Sequence, residues 1–227
     1  MQKMIFVALL SLSFIAPWCN AAAPVAKKAP LAALADDLNL AAMVQPVSAK
    51  NMLQQKEWFV WCADAVRGED GKYHMAYARW PKKYGFLCWL THSEIAYAVA
   101  DAPTGPYRHV KTLLTGSGKG WDAYSLFNAK IKKFGTKYYL YYAAAPDVIP
   151  ASKLVETARI GYRAPGWMVL RNAQRSGVAV ASNPAGPWTR SDKPCVHPAG
   201  PITKLTVNPG VCEGPDGKYY MIVKGDK

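Results

Sequence analysis

The chain has 227 residues, is 51% hydrophobic and 19% charged, and carries 28 Lys and Arg against 15 Asp and Glu, a formal net charge of +13. Such a composition belongs to a folded globular protein and excludes a disordered or membrane-spanning chain. The positive balance favours a polyanion, yet the lysines are scattered, in pairs such as Lys82-Lys83 and Lys132-Lys133, and no nucleic-acid-binding motif occurs. A sulfated or uronic-acid polysaccharide is therefore the expected polyanion, and nucleic acid is not an expected partner.

Lys3 precedes an apolar run from Met4 to Trp18, followed by Ala21, Ala22 and Ala23. A charged start, a short apolar core and small residues at the end make residues 1–23 an expected secretory signal peptide. The run is too short to span a bilayer, which takes about 20 residues. Trp18 argues against acylation of Cys19, so simple cleavage between Asn20 and Ala23 is expected. An exported protein follows, periplasmic or extracellular, with no transmembrane segment in the mature chain. Cys62, Cys88, Cys195 and Cys212 then remain, and in an oxidising compartment four cysteines allow three pairings. No C-x-x-C spacing is present, so a structural zinc site is not expected, and the sequence indicates no other metal or cofactor.

Residues 24–56 read as a leader rich in Ala, Pro and Lys, with a short amphipathic helix over Leu31–Met43. From Trp58 onward strand-length runs rich in Tyr, Trp and Val alternate with Gly, Pro and Asp turns. The chain also repeats itself. Asp70-Gly71-Lys72-Tyr73-His74-Met75 recurs as Gly135-Thr136-Lys137-Tyr138-Tyr139-Leu140 and as Asp216-Gly217-Lys218-Tyr219-Tyr220-Met221, each a turn leading into an aromatic strand. Ala98-Val99-Ala100 through Pro103-Thr104-Gly105-Pro106-Tyr107 recurs as Ala179-Val180-Ala181 through Pro184-Ala185-Gly186-Pro187-Trp188. Four antiparallel strands per unit fit an all-β propeller blade. Residues 57–227 then divide into blade one (58–115), blade two (120–196) and a third blade from 205, about two and a half blades.

The hairpins, the two Pro-x-Gly-Pro turns, Trp58-Phe59-Val60-Trp61 and Arg79-Trp80-Pro81-Lys82-Lys83 together resemble the glycoside hydrolases built on a five-bladed β-propeller, including families 43 and 117. The resemblance runs from Trp58 to Lys227. It implies a sugar-binding funnel at the propeller axis and hydrolysis by carboxyl groups flanking the glycosidic bond. Those groups stand about 5 Å apart for retention and further apart for inversion. It also admits an axial calcium, although no ligand spacing here calls for one.

Aligning the hairpins places Cys62 or Ala63, Asn128 and Asn208 where the resemblance implies the catalytic carboxylates. Asparagine hydrogen-bonds a sugar but exchanges no proton, so Asn128 and Asn208 are expected to bind substrate. Asp64 lies just beyond Cys62 and is a catalytic candidate. Asp122, ahead of the leading strand of the second unit, is another, with Trp121 beside it as a binding residue. His92 and Glu94 are expected to share one face of a strand, the carboxylate raising the histidine pKa and fitting it for general acid work. Trp80 is expected to stack on a pyranose ring, with Arg79 holding an anionic substituent. Glu213-Gly214-Pro215 resembles the family's general-acid motif, but Glu213 falls in a turn rather than at a strand start. The leading expectation is an exported glycoside hydrolase; the alternative is a non-catalytic carbohydrate-binding propeller or an inactive fragment of a longer enzyme.

Overall fold

The computed structural model describes Ile5–Phe6, Val44 and residues 46–227. The helix expected over Leu31–Met43 and, apart from Ile5–Phe6, the expected signal peptide lie outside them. Among the described residues the chain is mostly β-sheet with few helices. The first four-stranded antiparallel sheet runs β2 (Trp58–Arg67), β3 (Tyr73–Pro81), β4 (Glu94–Ala100) and β5 (Arg108–Leu114), in that order. A second follows with β6 (Ser125–Phe134), β7 (Lys137–Ala145), β8 (Arg175–Ala181) and β9 (Thr189–Arg190). The third holds β10 (Thr206–Glu213) and β11 (Tyr219–Gly225), with a two-residue strand β1 (Ile5–Phe6) on the far side of β11. Three helices longer than a single 3-10 turn are described: α1 (Trp89–His92), α2 (Leu154–Ile160) and α3 (Pro165–Ala173).

The repeated turns form for local reasons. Asp70 Oδ1 accepts a hydrogen bond from the Lys72 amide at 3.1 Å, and Asp216 Oδ1 does the same for Lys218 at 3.1 Å. The intervening Gly71 and Gly217 adopt φ of 78° and 75°, a region that residues with a Cβ rarely enter. This is why an Asp-Gly pair ends the leading strand and starts its neighbour. In both Pro-x-Gly-Pro turns the glycine again has positive φ, and the Gly105–Pro106 and Gly186–Pro187 peptide bonds are both cis.

The sheets pack through their alternating faces. Ala76, Ile95 and Leu114 of the first sheet meet Leu126, Ile131, Leu140, Tyr142 and Ala144 of the second. Phe127 and Ala143 in turn meet Val207 of β10 and Leu205 just ahead of it. Each fully buried Leu or Ile contributes on the order of 1.5–3 kcal/mol. The alanines let the sheets approach closely, and the larger side chains fill the space between them.

One irregularity recurs in all three leading strands. Pairing shifts between Trp61 and Asp64, between Phe127 and Lys130, and between Val207 and Gly210. Cys62, Asn128 and Asn208 there have φ of 44°, 54° and 56°. Each strand thus carries a bulge with one extra residue on its own side. Side chains alternate along a regular strand, so residues three apart would face opposite ways. The bulge cancels that: Trp61 pairs with Ala78 and Asp64 with Ala76, two alanines that pack toward the second sheet.

Candidate functional site

The bulges bring polar side chains of the leading strands together. Asn128 Nδ2 donates to Asn208 Oδ1, joining β6 to β10. Asp64 Oδ2 lies 3.2 Å from Lys132 Nζ, joining β2 to β6, with the Asp64 side chain 20% exposed. Burial pushes the Cys62 thiol pKa up, and the nearby Lys130 ammonium partly opposes that shift. The site therefore holds one carboxylate, two ammonium groups and a pair of amides.

Beside it stands an aromatic group that the sequence reading missed as a binding element. Trp61 is 53% and Phe86 47% exposed. Their ring centroids are 5.9 Å apart, edge to face, and both rings contact Trp80 behind them. Aromatic rings with a free face bind the apolar faces of ligands. Trp61 was legible as part of an aromatic run, but its side of the sheet follows from the bulge.

The remaining candidates lie elsewhere. Asp122 does not open into a funnel: it is 5% exposed and accepts hydrogen bonds from Ser117 Oγ (2.6 Å), Tyr142 OH (3.0 Å) and Arg190 Nη1 (2.8 Å). Both carboxylate oxygens are thereby occupied, tying the loop ahead of β6 to β7 and to β9. Trp121 stacks on Tyr142 with centroids 5.3 Å apart and donates to the Ser191 carbonyl. It also covers Gly177 so closely that a Cβ there would lie 2.0 Å from the indole. Its ring is a packing element of the second sheet, not a free sugar platform.

His92 and Glu94 share no strand face, because His92 closes α1 and Glu94 opens β4. The His92 ring lies against Tyr84 at 4.5 Å, and its Nδ1 shares a hydrogen bond with Thr91 Oγ1 at 2.6 Å. Burial, followed by the Lys83 ammonium, holds its pKa below the ordinary histidine value. That is opposite in sign to the shift expected from a carboxylate neighbour. Glu94 instead accepts from Arg79 Nε at 2.8 Å and from Thr112 Oγ1 at 2.8 Å, with Arg79 Nη2 at 2.7 Å.

Arg79 is 8% exposed, bonded also to Gln55 and stacked 4.1 Å over Trp58, so it offers no cation to an anionic substituent in solution. Trp80, at 2% exposure, lies among Ala78, Cys88 and Phe127 and supports Trp61 from behind rather than meeting a sugar itself. Both corrections have one cause: the Arg-Trp pair ends a strand covered on both faces. Glu213 is the last residue of β10, paired with Tyr219. It stands at the turn end like Arg67 and Phe134 in their strands, far along the strand from the bulge.

The histidine shift has a measurable consequence. A lowered pKa in the fold means that the unfolded chain binds more protons on acidification. The His92 contribution to stability is fully present above about pH 6.5, the unfolded value, and is lost as pH falls through its lower folded value. Chemical denaturation between pH 7.5 and 5 should show this decline, and His92→Phe, which keeps a ring against Tyr84, should lessen it, leaving the part owed to His109, whose pKa burial also lowers.

Among the described residues no three His, Cys, Asp or Glu side chains gather to hold a metal ion. The leading-strand site does not fit a calcium ion either: its carboxylate is held by Lys132, and Lys130 stands close by. Cys62, Cys88, Cys195 and Cys212 are all unpaired. A separate cleft of about 460 Å³ opens at the turn end, lined by Asp70, His74, Lys133, Tyr138 and Asn183 among others. It contains none of the expected catalytic residues.

No family model matches the sequence, and no curated protein matches it. Solved structures to which the chain is similar include a family 43 β-xylosidase/α-arabinofuranosidase from a compost microbial metagenome. The identity is 20%, with 72% of this chain and 42% of that chain covered and a TM-score of 0.47. A family 117 glycoside hydrolase of the marine bacterium Zobellia galactanivorans shares 20% identity over 74% of this chain and 40% of that chain, with a TM-score of 0.49. An endo-arabinase from Bacteroides thetaiotaomicron shares 8% over 72% and 44%, with a TM-score of 0.44. Families 43 and 117 are those that the repeated segments resemble. The chain spans about two fifths of the length of these structures.

Proposed function

We propose that the protein is an exported carbohydrate-active protein whose sheets are blades of a five-bladed propeller, and that its leading strands bind a saccharide bearing a sulfate or carboxylate group. One observation carries this reading: Lys130, Lys132, Asn128 and Asn208 gather on the leading strands beside a half-open aromatic pair. Ammonium groups attract an anionic substituent, amides hydrogen-bond hydroxyls, and Trp61 with Phe86 offers faces to the apolar side of a pyranose. The resemblance of the repeats to propeller glycoside hydrolases supports a glycan as the ligand, and the net charge of +13 suits an anionic one.

Hydrolysis is the second reading, and Asp64 carries it. Among the described residues it is the one carboxylate set midway along a leading strand, with an ammonium beside it to balance its charge. It is the residue to act as base toward water or as nucleophile, while a second carboxyl group must protonate the leaving oxygen. Asp122 and Glu94, bound to arginines within the fold, are not available for that step.

Affinity electrophoresis through gels holding a sulfated galactan, a uronic-acid polymer or a neutral xylan tests the binding reading. Retardation by an anionic polymer should weaken at least about tenfold when Lys130 and Lys132 both become alanine, the loss of two charge contacts. Equal loss in a Lys82→Ala/Lys83→Ala variant would reduce the effect to general charge and overturn the site. Reducing-sugar release from the retarding polymer, abolished by Asp64→Asn, would establish hydrolysis. Retardation without release would leave binding alone.

A further inference from the structure

We propose that the segment joining β7 to β8 docks the protein on an anionic lipid surface. This connection, residues 146–174, carries a 3-10 turn (Ala151–Lys153), α2, a second 3-10 turn (Gly161–Arg163) and α3. Its inner side is ordinary core, with Ala164, Trp167 and Leu170 buried against Leu90 and Ala145. Its outer side is not an ordinary surface. Val148, Ile160, Tyr162, Met168 and Val169 are between 44% and 66% exposed. Positions of a helix that face solvent normally carry polar side chains, and in α3 Met168 and Val169 stand there instead.

The charges of the segment complete the pattern. Arg159 and Arg163 flank Ile160, Gly161 and Tyr162 in the chain, and both are exposed. Among the described residues neither arginine forms an ion pair, and of the two acids of the segment only Glu156 does. Glu156 accepts from Lys153 at 2.8 Å, and Asp147 accepts from the Gly120 amide at 2.9 Å. The outer side therefore presents aliphatic groups and two unpaired guanidinium groups, against a single carboxylate outside an ion pair, the exposed Asp147, which bonds only a backbone amide.

Three kinds of partner can be weighed against that chemistry. A polysaccharide stacks on aromatic rings but leaves Ile160, Met168 and Val169 facing hydrated hydroxyls. A second copy of a chain carrying +13 meets its own arginines with arginines. A bilayer with anionic headgroups satisfies both features, taking the aliphatic side chains into the acyl boundary and the guanidinium groups to the phosphates. Tyr162 has the amphipathic ring favoured at that depth. No helix among the described residues is long and apolar enough to cross a membrane, so the contact would be a shallow one.

Hydrogen–deuterium exchange of the whole chain, with and without vesicles of phosphatidylglycerol and phosphatidylcholine, tests this locally, whatever residues 1–23 do. Amides over residues 159–171 should be protected by the mixed vesicles and not by pure phosphatidylcholine. Arg159→Gln/Arg163→Gln should weaken flotation with the mixed vesicles roughly thirtyfold, from two arginines near an anionic surface. Met168→Ser/Val169→Ser should abolish the protection while the circular dichroism spectrum stays unchanged. Flotation without protection of this segment, or protection unaffected by either double variant, would overturn the proposal. So would protection by a sulfated polysaccharide and not by vesicles, which would assign the segment to a glycan.

Discussion

Asp122→Ala will lower the free energy of unfolding by about 3–5 kcal/mol, the effect of removing one partner from a buried ion pair. The Asp122 side chain is 7% exposed and that of Arg190 25%, so the guanidinium left behind is only partly rehydrated. Tyr142 loses its acceptor as well, in a site where burial, with Asp122 next, already pushes the phenol pKa up. Asp122→Asn keeps an acceptor for Tyr142 and loses the charge opposite Arg190, so it should fall between wild type and alanine. Urea denaturation of the three proteins measures the order. A hydrolytic role for Asp122 predicts something else: an Asn variant of wild-type stability that has lost activity.

Glu94→Ala should be comparably damaging, at about 3–5 kcal/mol, for the same physical reason in the first sheet. Arg79 lies under Trp58 with Glu94 as its carboxylate partner, and both side chains are at most 15% exposed. Removing Glu94 strands a buried guanidinium that Gln55, Thr112 and His109 can contact but cannot neutralise. Replacing both, Arg79→Met/Glu94→Leu, should recover most of the loss, because a matched apolar pair leaves no buried charge behind. A double-mutant cycle on unfolding free energy reads that recovery directly. Simple additivity of the two single effects would show that the pair is not coupled.

These two carboxylates mark the limit of what the sequence makes legible. The hairpins and the Gly-Pro turns can be read because their determinants are local: Asp70 and Asp216 bond amides two residues away. The partner of Asp122 is 68 residues away and that of Glu94 is 15 away across a strand pair. Nothing in Trp121-Asp122 or Ser93-Glu94 announces an arginine. A polar residue in a loop and the same residue locked in a buried pair look alike until the sheets are packed. Trp80 failed for a related reason: an Arg-Trp pair before Pro81 reads as a turn, whereas in the fold it ends a covered strand. The alignment of Cys62, Asn128 and Asn208 was readable from the repeats, and those three residues do share one backbone position. Their left-handed conformation is in keeping with asparagine at two of the positions, but Cys62 gives no sign of it, since cysteine is an uncommon occupant of that region.

The same three bulges amount to interchangeable sockets. A backbone that accepts a thiol once and an amide twice, in the same conformation and at the same level of the strand, constrains its occupant by shape more than by chemistry. Asparagine and aspartate are nearly the same size and are the residues that best tolerate that conformation. A carboxylate could therefore be installed at any of the three by one substitution, with the scaffold already bent to receive it. A chain of this kind can gain or lose proton-transfer chemistry at its centre by single changes, without rebuilding its sheets.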